Sequence, residues 1–182
     1  MTTQNMPAEL QSLLDKQAVT ELIHAYCRAA DRHDQDAMRK LYFEDATDDH
    51  GGFFKGRAMD FIDKLPEIQK PMKILQHNVT TINLKLEAER GEGEVYVLAF
   101  HQAQTEQGTL VDFLVGGRYL DNYEKREGLW KFSARSVLAD WVKFSEPSNV
   151  QLDHPMIIGS HIGTPGAGDP SYKVLKTFKR GS

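Results

Sequence analysis

The sequence holds one cysteine, Cys27, in 182 residues. That excludes an intrachain disulfide and a thiolate metal cluster within one chain, and it fits a reducing, cytoplasmic setting. No apolar run approaches the ~20 residues needed to span a bilayer. The first residues lack the basic flank and apolar core of a secretory signal, so the Asn78-Val79-Thr80 sequon reads as chance. An excess of positive charge is missing too: 22 Lys and Arg stand against 26 Asp and Glu, for a net charge of −4. Without a basic stripe a nucleic-acid partner is not expected, and a weakly acidic chain has no electrostatic pull towards an anionic membrane. There is no Gly-x-Ser-x-Gly elbow, no phosphate-cradling glycine loop after a strand and no zinc-spaced ligand set, even counting His154 and His161. The cluster Asp45, Asp48, Asp49, His50 matches no calcium loop and reads as a polar turn. No metal and no cofactor are expected.

What remains is ordinary globular material, 40% hydrophobic and 26% charged, in a length that suits one domain. Residues 8–32 predict a long amphipathic helix. Leu10, Leu13, Leu14, Leu22, Ile23, Tyr26 and Ala30 recur at spacings of three and four, and Pro7 suits its entrance. Asp34 can cap a short second helix with Met38, Leu41 and Tyr42 inside. Residues 45–52 read as a connector. A third helix is expected over 57–65, with Pro66 and Pro71 bracketing its exit. From residue 74 the pattern becomes strands, over about 75–86, 94–103, 110–123 and 129–142. Short, charged, glycine-bearing links between them indicate antiparallel hairpins. Several strands are apolar on both faces, and Gly116-Gly117 predicts a bulge or bend that curls the sheet. Helices followed by antiparallel strands make an α+β fold. The expected boundaries are a domain over 1–144 and, over 145–182, a proline- and glycine-rich arm with a short helix near 172–178, packed on the domain or on a neighbouring subunit.

Three polar residues stand out. Asp31 follows the apolar stripe of the first helix, either as a surface acid paired with a neighbour or as a carboxylate facing a pocket. His77, at the start of the first long strand, could be a general base near neutral pH or a structural donor to a carbonyl. Arg135 lies mid-strand among apolar neighbours, where it could hold a developing anion or form a strand-face ion pair.

Residues 22–34, Gly56-Arg57, His77, Gly117-Arg118-Tyr119 and above all the run from Tyr123 to Arg135, with its Tyr-Glu-x-Arg-x-Gly-x-Trp-Lys-Phe-Ser-x-Arg pattern, resemble the SnoaL-like branch of the nuclear transport factor 2 superfamily. The resemblance spans about residues 14–142 and is nearest to that branch's hexachlorocyclohexane dehydrochlorinases, with the scytalone dehydratases more distant. It implies a cone: a curved, mostly antiparallel sheet wrapped by the N-terminal helices around a deep apolar cavity. It also implies roles. Asp31 would orient His77, His77 would take a proton, and Arg135 would assist the departing group. Where the dehydrochlorinases carry a lysine this chain has Tyr26, which can protonate a leaving oxygen but serves departing chloride poorly.

The expectation is therefore a cofactor-independent lyase acting on a small, mostly apolar, aromatic substrate. The step would be proton abstraction followed by loss of water or of a carbon fragment such as formaldehyde, as in the superfamily's lignin diarylpropane lyases. Tyr42, Phe54, Tyr119 and Trp141 are the expected pocket walls. An isomerase or cyclase in the same pocket, or a non-catalytic binding or scaffolding module, is the alternative. The outer sheet face and the arm suggest a homo-oligomer, for which the resemblance favours a trimer, with a dimer as the other possibility.

Overall fold

The computed structural model describes residues 7–182. Helix α1 (Ala8–Asp31) follows Pro7 and buries Val19, Leu22, Ile23, Tyr26, Cys27, Ala29, Ala30 and Asp31. Its buried face lies in the C-terminal half, while Leu10, Leu13 and Leu14 stay exposed. His33 adopts a left-handed conformation (φ 49°), which turns the chain sharply after α1. Asp34 then accepts a hydrogen bond from the Ala37 N–H at 3.1 Å and starts α2 (Gln35–Leu41) as a side-chain cap.

The connector expected over 45–52 is a strand. Segment β1 (Tyr42–Asp49) runs parallel to the last long strand and antiparallel to the short β2 (Lys55–Arg57). Sequence reasoning missed it because its inward positions after Tyr42 are Ala46 and Asp48, so the alternation of burial is not an alternation of hydrophobicity. Helix α3 (Ala58–Gln69) also runs past its expected end and keeps Pro66 inside its last turn. The lost backbone donor is offset by anchoring of that turn. Leu65 is buried, and the Gln69 amide donates to the Ala30 carbonyl at 3.2 Å while accepting from Gln35 at 2.9 Å.

Four long strands follow: β3 (Met72–Glu87), β4 (Arg90–Gln104), β5 (Leu110–Arg126) and β6 (Leu129–Ser145). They pair as an antiparallel meander, and the single six-stranded sheet has the open order β2-β1-β6-β5-β4-β3. The β5–β6 hairpin turns on Glu127 (φ 53°) and Gly128 (φ 81°), two successive positive φ values that match the right-handed twist of the strands. Register shifts leave Thr80 of β3, and Ser133 and Asp140 of β6, without a direct partner. Such insertions bend a strand, and here they curl the sheet. The bulge at Asp140 explains Gly117: a Cβ there would meet the Leu138 carbonyl oxygen at 2.3 Å.

The expected α+β cone is what forms: the curved sheet holds α1 and α3 in its concave side, with Ile23, Ile62, Val95, Tyr123 and Phe132 in the core. Beyond Ser145 the chain folds back over α1 as an arm containing a 3-10 turn (Gly166–Gly168) and one turn of helix, α4 (Ser171–Val174), shorter than expected. Arg32 donates to the Thr164 carbonyl at 2.9 Å and to Asp169 at 3.1 Å, and the Gly166 N–H donates back to the Arg32 carbonyl at 3.0 Å. Arg28 lies over the rings of Tyr172 and Phe178.

Candidate active site

Asp31 is the last residue of α1. An anion there faces the negative end of the helix dipole, which disfavours it, so its place must be held by specific donors. His77 of β3 supplies two. Its backbone N–H donates to both carboxylate oxygens, at 3.1 and 3.2 Å, and its ring Nδ1 lies 2.6 Å from Asp31 Oδ1. The carboxylate thus fixes the ring with an Nδ1 proton directed at it, and Nε2 is the ring nitrogen not engaged by Asp31. Both side chains are largely buried, at 11% exposure each.

His77 lines a cavity of about 280 Å³ between the concave sheet, α1 and α3. Its walls are mostly apolar, with Phe53, Phe61, Leu65, Val97 and Val115 prominent. Tyr26 and Tyr119 line it. Burial pushes the Tyr26 phenol well above its ordinary range, with the Arg135 charge pulling the other way, so Tyr26 is a protonated donor at neutral pH.

Three expected wall residues lie elsewhere. Tyr42 is buried behind the cavity, donating to Asp48 at 2.9 Å. Phe54 stacks on Phe61 and yields the wall to its neighbour Phe53. Trp141 is 49% exposed and pairs with Gly116, where a Cβ would strike its ring. The bulge at Asp140 shifts the register here and turns Trp141 to the outer face.

Arg135 is also withdrawn from the cavity. Its side chain is fully buried, and it donates to both oxygens of Asp121, from Nε at 2.7 Å and from Nη2 at 2.8 Å. Its guanidinium lies 3.9 Å from the ring centre of Tyr26, 4.1 Å from Tyr119 and 4.3 Å from Phe132. It is a charge inside an aromatic cage, which reaches the cavity through Tyr26 and Tyr119.

Two further histidines face the cavity: His101, which sequence reasoning passed over, and His50, which it read as part of a polar turn. His101 of β4 stands edge-on to His77, ring centres 5.4 Å apart. Burial, followed by the nearness of His77, lowers its pKa to about 4 and keeps it neutral. It was legible: Val95, Val97, Ala99 and His101 occupy alternate positions of one strand, so the histidine continues the inward row. His50 follows β1, and its pKa is lowered to about 4 by burial and by Arg135. It was not legible once β1 had been read as a turn. Cys27 is no nucleophile, for burial pushes its thiol up to about 12.

The model of the SnoaL-like domain family matches residues 11–136, most of the chain. The chain belongs to the SnoaL-like domain family. Solved structures similar to this SnoaL-like protein include a type 2 hexachlorocyclohexane dehydrochlorinase, at TM-score 0.71 and 19% identity, covering 81% of this chain and 99% of that one. A type 3 hexachlorocyclohexane dehydrochlorinase from Novosphingobium barchaimii gives TM-score 0.71 and 18% identity over 79% of this chain and 99% of that one. A protein provisionally named a scytalone dehydratase, from Novosphingobium aromaticivorans, gives TM-score 0.65 and 19% identity over 86% and 95%. At these identities the likeness establishes the SnoaL-like fold and nothing about the reaction. Comparison with curated protein sequences gives no match. Among the described residues, no helix is long and apolar enough to cross a membrane.

Proposed function

We propose that the protein is a cofactor-independent lyase acting on a small, mostly apolar aromatic substrate. The observation that carries this reading is the 2.6 Å contact between Asp31 and His77 on the wall of a largely apolar cavity. His77 Nε2 takes a proton from carbon, and Asp31 holds the ring and stabilises the imidazolium that forms. Tyr26 donates to a departing oxygen or binds a phenol. In a dehydration the electron pair left on carbon expels a neighbouring hydroxyl, which leaves as water with a proton from Tyr26. In a loss of formaldehyde the proton His77 takes is instead that of a primary hydroxyl: its O–H pair becomes the carbonyl, and the C–C pair becomes the new double bond as a second hydroxyl leaves as water with the Tyr26 proton. Arg135 acts from behind the wall, its charge favouring negative charge near Tyr26, while Asp121 offsets part of that effect.

Two named relatives, a dehydrochlorinase and a protein named as a dehydratase, would also run eliminations, which favours a lyase over an isomerase. A purely scaffolding module needs neither the Asp31–His77 contact nor an open apolar cavity, so both features support the lyase reading. The test is a mass-spectrometric screen of aromatic dimers and hydroxylated rings with purified protein and no added cofactor. A lyase changes product mass and an isomerase does not. His77→Ala is expected to lower turnover by about 10²–10⁴-fold with an unchanged circular dichroism spectrum. Full activity in that variant overturns the reading.

The same reading includes a homo-oligomer, with a trimer favoured over a dimer. Its support is apolar surface left bare on one chain: Trp141 and Leu98 on the outer sheet face, and Met156 and Ile158 in the arm at 85% and 69% exposure. Light scattering should give a mass above one chain, and Trp141→Glu should reduce it. A monomer at micromolar concentration refutes this part.

A further inference from the structure

The Asp31–His77 pair meets the cavity from the edge strand β3. A second histidine beside a carboxylate meets it from the other side of the sheet order. His50 follows β1 and His77 sits on β3, and in the sheet order three strands, β6, β5 and β4, lie between them. Both rings line the same cavity. His50 is held flat by Phe61, whose ring centre lies 4.3 Å away. Its Nε2 is 3.1 Å from Asp48 Oδ1. Asp48 is held in turn by the Tyr42 hydroxyl on its other oxygen, at 2.9 Å, and sits opposite Arg135 in the β1–β6 register. The two atoms are not aligned for a hydrogen bond, but a carboxylate 3.1 Å from Nε2 favours by its charge the form in which Nε2 carries the proton. That leaves Nδ1 with a lone pair and, among the described residues, no protein partner.

The network is also incomplete. Asp48 Oδ1, His50 Nε2 and Arg135 Nη1 are all buried without a well-aligned hydrogen-bond partner. An unmet buried polar atom is costly, and clusters of them recur where a water or a ligand completes the arrangement. The side chains packed against the His50 ring are apolar, Phe53 and Phe61.

Resting on the lyase reading, we propose that His50, positioned by Asp48, forms a second polar pole that accepts a hydrogen bond from a hydroxyl at the end of the substrate remote from His77. The substrate class is then a hydroxylated aromatic whose oxygen and whose acidic carbon lie at opposite ends. A cavity of about 150 Å³ takes up benzene, and this one is nearly twice as large at about 280 Å³, room for two small rings.

The experiment compares β-naphthol with naphthalene as probes of the full-length protein at neutral pH, by fluorescence titration. Wild type should prefer the naphthol by roughly tenfold, the worth of one neutral hydrogen bond. His50→Phe keeps the stack on Phe61 and should abolish the preference, while His77→Gln should keep it. In wild-type protein the ring-nitrogen NMR signals of His50 should move with naphthol and not with naphthalene, a readout that needs no variant to fold. Equal affinities, failure of either probe to bind, a preference that survives His50→Phe, or one lost in His77→Gln instead overturns the proposal. Because binding is measured, a protein that turns over nothing yet shows the His50-dependent preference loses the lyase reading and keeps the pole.

Discussion

Replacing Arg135 by methionine separates a residue that builds the pocket from one that works in it. The guanidinium and the Asp121 carboxylate are both fully buried and joined by two hydrogen bonds, and Asp121 also accepts from the Tyr123 hydroxyl at 2.8 Å. Arg135→Met removes one charge and strands the other where water cannot reach it. Breaking a buried pair from one side costs about 3–5 kcal/mol. The lost contacts with Tyr26, Tyr119 and Phe132 add to this, while the methionine refills part of the volume. For a chain of this length each kcal/mol moves the melting temperature by about 2–4 °C, so a drop on the order of 10 °C is expected. The assay is thermal and urea denaturation followed by circular dichroism. The double variant Arg135→Met/Asp121→Asn leaves no stranded charge and still offers Tyr123 an acceptor, and it should regain more than half of the loss. A single variant as stable as wild type refutes the argument. So does a double variant no better than the single one, because the penalty would then not come from the unpaired carboxylate.

Acid stability offers a test of three groups at once. Burial lowers His50 and His101 to about 4 in the fold, so the unfolded chain binds protons first and each histidine costs stability as pH falls from about 6.5 towards 4. Burial raises Asp48 to about 6, so the folded state takes up that proton first and stability is regained over about 6 to 4. Asp48 and one histidine nearly cancel, which leaves a net loss on the order of 3 kcal/mol on acidification. His101→Gln should flatten the urea-midpoint profile between those pH values, and an unchanged slope contradicts the assignment. At the bulge, Gly117→Ala should destabilise by about 1–3 kcal/mol, more than Gly116→Ala, since Gly117 faces a backbone carbonyl and Gly116 a half-exposed Trp141 that can swing aside. Equal urea midpoints for the two variants would contradict that reasoning.

The readable parts of this fold are those where periodicity and burial coincide. The part of the α1 stripe from Leu22 to Ala30 is apolar because it is buried, and it was legible, whereas Leu10, Leu13 and Leu14 continue the same period and stay exposed. Strand β1 was not legible, because its inward residues Ala46 and Asp48 are buried for packing and pairing rather than for hydrophobicity. Asp31 and His77 were visible as residue types in plausible places, but 46 positions separate them and only the folded chain brings their atoms to 2.6 Å. Arg135 marks the opposite limit. Its apolar flanks signalled burial correctly, yet nothing along the chain says that its partner would be Asp121 rather than a ligand. Trp141 is turned to the outer face by one inserted residue, Asp140, since a single bulge exchanges the two faces for everything beyond it.

The clasp that the arm forms on Arg32 has a consequence for how the protein is made. Asp31 belongs to the first helix and leaves the ribosome early. The residues that complete the turn directly after it, Thr164 and Asp169, lie 132 and 137 positions beyond Arg32. Closing so long a loop is slow, and it cannot begin until those residues have been synthesised. A nascent chain can therefore hold the helix, the sheet and even the Asp31–His77 contact while the end of α1 is still unclasped. Fixing the turn that follows Asp31 is then a later event in assembly than forming the Asp31–His77 contact, because Thr164 and Asp169 are synthesised after both of those residues.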